Sequence, residues 1–167
     1  VAGYLAMHDD RVEAAIRYLD EGIRADPEGR LGFLRFNRAV AQMMTDPDPV
    51  GRELMLEAFG EFQPDLVEPL ARAWPPERGL PPPEAIELLA TLNSLVAAQM
   101  WMLSDRPERA IEHIVTLRDR MPFGQTDDWW SPVLDPLRDD PGVVATQEGW
   151  GLAGYEVRRT GDREPTP

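Results

Sequence analysis

The sequence contains no cysteine and no lysine, and only 2 histidines. Each absence closes off a chemistry. Without cysteine there is no disulfide framework, thiol nucleophile or thiolate zinc site. Without lysine there is no Schiff base and no phosphate-loop lysine. Two histidines cannot complete a three-histidine metal site. Positive charge is scarce as well: 17 cations, all arginine, face 30 carboxylates, for a formal net charge of −13. Such a chain repels phosphate, which argues against DNA, RNA and anionic membrane surfaces as partners. No apolar run reaches the ~18 residues that a spanning helix needs. Residues 1–10 do not resemble a signal peptide, so a cytoplasmic location is expected. The missing lysine, with abundant Ala, Gly, Pro and Arg and little Ile, fits a GC-rich coding sequence.

What is present is helical periodicity, and strand signals are weak. A chain of 167 residues is long enough for one domain or a short repeat array with its own core. Val12, Ala15, Ile16, Leu19 and Ile23 recur at steps of three and four, predicting a helix to about Ala25, with Asp9 or Asp10 as its cap. Asp26-Pro27 ends it, because proline disfavours helix in the preceding residue. Further helices are expected over residues 30–44, with Phe33, Phe36, Val40 and Met44 on one face, over 50–62, and over 66–74. Residues 75–83 hold five prolines in nine positions and read as a stiff extended connector. One long helix is expected over 83–103, apolar on two faces and therefore covered on both sides. Another follows over 107–120, with Pro107 in its first turn. A loop with Trp129-Trp130, a short helix over 131–138 and a last turn over 142–147 complete the pattern. Residues 1–155 are expected to form a single domain that includes the connector, and 156–167 a disordered tail.

An internal repeat underlies this pattern. Arg11-Val12-Glu13-Ala14-Ala15-Ile16, closing at Pro27, returns as Arg106-Pro107-Glu108-Arg109-Ala110-Ile111, closing at Pro122. Ala15, Leu19 and Gly22 alternate small, large and small on one face, so that a neighbouring helix can approach closely. Phe36-Asn37-Arg38-Ala39-Val40-Ala41 and Ala98-Gln99-Met100-Trp101 each offer a small residue at the matching place in a preceding helix. Together these stretches resemble tetratricopeptide repeats (TPR). The resemblance is good over residues 2–27 and 96–122 and poor over 47–83. Leu134-Asp135-Pro136-Leu137-Arg138 resembles the segment that often closes bacterial TPR arrays. The resemblance implies an all-α fold: antiparallel helical hairpins stacked as a short TPR-like solenoid of six to eight helices. Such arrays often accompany kinases, cyclases or transcription regulators. The first repeat begins inside a unit: either its first helix is short, or the chain is a fragment and an apolar edge is expected there, covered by upstream sequence or a second copy.

No constellation points to catalysis. His8-Asp9-Asp10 reads as a turn and helix cap, and His113 as a packing residue. The Asp pair within 45–49 lacks the glycine and distal glutamate of a calcium loop. The glycines of 149–154 follow no strand. The reading is therefore noncatalytic, with no metal or cofactor. Within the resemblance, first helices line a groove, where asparagine can bind backbone amides and arginine a carboxylate. The binding candidates are Arg35, Asn37, Arg38, Gln42 and Asn93, with Trp129 and Trp130 as an aromatic platform or a cap over the last hairpin. The expected partner is an apolar or basic protein segment. The alternative is a structural or self-association domain, meeting a second copy or an upstream domain.

Overall fold

The computed structural model describes Met7 and residues 11–26, 32–118 and 131–152. Among these, the chain is all-helical, without a strand. Helix α1 spans Val12–Ala25, α2 Gly32–Thr45, α3 Pro49–Phe62 and α4 Pro64–Ala73. Then come α5 (Pro83–Ala90), α6 (Ser94–Leu103), α7 (Pro107–Val115), a 3-10 turn (Pro132–Leu137) and α8 (Pro141–Gly149). Each α-helix packs on the next, and the 3-10 turn returns to pack on α6. The result is an all-α stack with one continuous apolar core running through it. No described helix is long and apolar enough to cross a membrane.

Small residues set the closest approaches. Ala15, Ala39, Ala58, Ala98 and Ala110 are all fully buried. A Cβ on Gly51 of α3 would stand 2.8 Å from Met43 Cγ of α2, and one on Gly22 of α1 would meet Leu34 Cδ1 at 3.2 Å. Prolines set the starts, since a first-turn position wastes no amide. Pro49, Pro64, Pro83, Pro107, Pro132 and Pro141 all open helices or the 3-10 turn. Asp48 and Asp140 add side-chain caps, accepting from Val50 and Gly51, and from Gly142 and Val143.

Several expectations need correction. The single helix over 83–103 is two helices, broken at Thr91–Asn93. Thr91 Oγ1 turns back to donate to Leu88 O (2.7 Å). Asn93 is extended at φ −152° and its Oδ1 accepts from the amides of Leu95 (2.8 Å) and Val96 (3.2 Å). Thr and Asn are weak interior helix formers, and Asn is a strong cap. The helix after Pro107 ends at Val115, and residues 131–138 hold a 3-10 turn instead of an α-helix. Arg11 occupies the N-cap position of α1 and its side chain makes no capping hydrogen bond; Asp9 and Asp10 lie outside the described residues. Phe33 does not share the buried face of Phe36: it is 53% exposed.

The proline-rich connector is not a free spacer. Pro81 and Pro82 are buried, and Trp74, fully buried, donates from Nε1 to Arg78 O (2.9 Å). Gly79 presses on the α2–α3 turn so closely that a Cβ there would lie 1.5 Å from Pro47 O. Buried Arg52 of α3 donates from Nε to Trp74 O (2.7 Å) and from Nη2 to Ala71 O (3.3 Å). It thereby closes the carbonyl end of α4, which has no further helical partners. The connector is folded onto the first half of the stack.

Candidate functional site

The predicted binding residues of α2 divide between two sides of the helix. A helix turns about 100° per residue, so Asn37 projects about 200° from Arg35, whereas Arg38 and Gln42 follow Arg35 within about 60° of one another. The hydrogen bonds agree with that division. Arg38 Nε donates to Asp20 Oδ1 on α1 (2.8 Å), and its Nη1 to Gln42 Oε1 (2.8 Å). Gln42 Nε2 continues to Asp46 O (3.3 Å). Arg35 reaches the other way, to α3: its Nη1 is 2.7 Å from Glu61 Oε1 and its Nε 3.8 Å from Glu57 Oε2. Buried Arg35 Nη1 nevertheless lacks an aligned hydrogen-bond acceptor, so this pair is held by charge. Asn37 stands apart, its amide donating back to Phe33 O (2.9 Å) beside the exposed Phe33 ring.

The strip so assembled joins three helices: Asp20 on α1, Arg35, Arg38 and Gln42 on α2, Glu57 and Glu61 on α3. Its charges are layered. The side chains of Arg35 and Arg38 are 16% and 11% exposed, while Glu57 is 63% exposed. Both guanidiniums lie inward, Asp20 and Glu57 lie outward, and the Glu61 side chain is partly covered. Arg38 keeps this arrangement because its fork reaches two acceptors, and Arg35 because it lies between two carboxylates. On α3 the strip continues toward Val50. Val50, Leu54, Glu57 and Glu61 follow at steps of four, three and four, one stripe of that helix. Val50 is exposed and Leu54 half-buried, so the strip passes from an acidic end to an apolar end.

The remaining candidates are placed otherwise. Asn93, expected in the groove, caps α6 with its oxygen. Trp129 and Trp130 lie outside the described residues. His113 is mostly buried, with Nε2 3.7 Å from Glu87 Oε1 of α5. The same oxygen accepts from Arg109 Nη2 (2.9 Å), and Arg109 also pairs with Glu112. The Arg109 guanidinium stands 5.4 Å from the centroid of the Trp101 ring, a cation–π contact between α7 and α6. This cluster ties α5, α6 and α7 together. Among the described residues, no group of three or more His, Cys, Asp or Glu could hold a metal ion.

Sequence reasoning missed Asp20, Glu57 and Glu61 as members of the strip, and Arg52 as an interior cap. The carboxylates carry no local signal in so acidic a chain. Their role comes only from the pairing of helices. Comparison with family models, with curated proteins and with solved structures finds no match.

Proposed function

We propose that the chain is a noncatalytic interaction module, a short TPR-like array that holds a segment of a partner protein along the α1–α3 strip. The layered strip of Arg35, Arg38 and Gln42 with their carboxylates carries this reading. It is a preorganised, half-exposed polar surface that crosses three helices and ends against exposed Val50. Preorganisation lowers the cost of ordering side chains on binding. Polar groups of this kind fix register while adjoining apolar area supplies affinity.

The test is affinity capture with mass spectrometry on the wild type and on R35A/R38A, the helicity of both checked by circular dichroism. A protein retained by the wild type and lost by the variant supports the strip. Equal retention removes the strip from the account, and no retained protein overturns the binding reading.

A second reading is self-association. Tyr18 on α1 and Phe33 on α2 are large aromatics that are 46% and 53% exposed. Aromatic side chains are enriched where protein surfaces meet. Light scattering over a concentration series separates the two readings: a mass that doubles with concentration supports a dimer, and a constant monomer mass excludes it.

A further inference from the structure

We infer that the strip selects a cationic partner segment: one with a Lys or Arg that meets Glu57 and Glu61, and an apolar residue about 10 Å away that covers Val50 and Leu54. The inference rests on the binding reading above and gives it a partner chemistry.

Three observations lead there. First, the two inward arginines are already matched by carboxylates. Arg38 is held by Asp20, and Arg35 lies between Glu57 and Glu61. An acidic ligand would have to displace them against an outer layer of like charge. Second, Arg35 Nη1 meets Glu61 Oε1 at 2.7 Å, whereas Glu57 stands 3.8 Å from Arg35 Nε with its side chain 63% exposed. The Glu57 carboxylate therefore faces outward with room for a donor from solvent beside Glu61, and a charged donor makes the stronger bond. Third, Val50 lies seven residues before Glu57 on the same stripe, two helical turns or about 10 Å. An extended peptide spans that distance in about three residues, and a helical one in about seven. Carboxylates alone would attract any cation. The apolar end makes the recognition one of spacing as well as sign.

The full chain, immobilised, is used to select from a random peptide library displayed on phage. Enriched sequences are expected to carry Lys or Arg with an apolar residue three or seven positions away. Repeating the selection on E57K/E61K is expected to favour acidic peptides instead. Enrichment of acidic peptides by the wild type, or of basic ones equally by both proteins, overturns the cationic assignment and leaves the binding module standing. If no sequence rises above background on the wild type, the module reading falls and this inference with it. Enrichment of basic peptides that survives in V50D overturns the apolar half of the assignment.

Discussion

Replacing Gly79 by alanine puts a single methyl group where the structure has no room. The new Cβ would lie 1.5 Å from Pro47 O, 2.1 Å from Pro47 C and 2.7 Å from Asp48 N. Carbon atoms in contact sit about 3.5–4 Å apart, so the two backbones must separate by about 2 Å. Neither segment is free to do so. On one side Trp74 Nε1 holds Arg78 O, and Arg78 N holds Pro75 O. On the other, Asp48 caps α3, and its amide is bonded to Asp46 O. The backbone at Gly79 is not in the left-handed region, so its glycine answers a demand for space and not for torsion. Overpacking of this kind costs about 1–3 kcal/mol, and with backbone on both sides about 3 kcal/mol is expected for G79A. In a domain of this size that lowers Tm by about 6–12 °C. G60A is the matched control. It lies in α3 with only Val67 Cγ2 at 4.0 Å, so it is expected to stabilise by about 0.5 kcal/mol from helix propensity. Thermal and urea denaturation followed by circular dichroism read both. If G79A melts within about 1 °C of the wild type, the connector does not press on the α2–α3 turn and its placement here is wrong.

Two further substitutions test particular joints. N93A removes the acceptor for the amides of Leu95 and Val96 and is expected to lower stability by about 1 kcal/mol, while N93D retains most of it; the urea midpoint is the measurement. R52A leaves Trp74 O and Ala71 O without their donor in a buried setting, an expected loss of about 3 kcal/mol in denaturant unfolding, and R52K, a point donor in place of a fork, restores less than half of it. A stable R52A would mean that the end of α4 finds water instead.

Most helices, their order and the starts at Pro83 and Pro107 were legible because those signals are local. A proline acts on its own position and the one before it. The break within 83–103 was hidden for a different reason. Asn93 lies on an apolar stripe, and one asparagine there fits a groove ligand or a cap equally well. Only the extended backbone at Asn93 shows the cap. Phe33 and Phe36 illustrate the same limit. Both fit the apolar stripe of α2, but which side of a helix is buried depends on neighbours from elsewhere in the chain. Arg52 was out of reach altogether, since its carbonyl partner on Trp74 lies 22 residues away. The strip is an intermediate case. Arg35, Arg38 and Gln42 were identifiable as cationic and polar groups on one helix. Asp20, Glu57 and Glu61, which reverse the outward sign of the site, were not.

That reversal gives the absence of lysine a structural consequence. Arg38 reaches Asp20 and Gln42, Arg52 reaches two carbonyls and a neighbouring glutamate, and Arg109 reaches Glu87 and Glu112. Each joint uses the planar fork to hold two acceptors at once, a geometry that a lysine ammonium does not offer. Arg38 and Arg52 are turned inward, and all three are locally neutralised or matched by acceptors. Arginine-based joints therefore leave a carboxylate-rich exterior, and do so most clearly where the joints crowd together. The α1–α3 strip is such a place: two cations are drawn between helices, and Asp20 and Glu57 stand outside them. A partner approaching from solvent meets the carboxylates first. The same pairing that holds α1, α2 and α3 together is thus what gives the proposed ligand its sign.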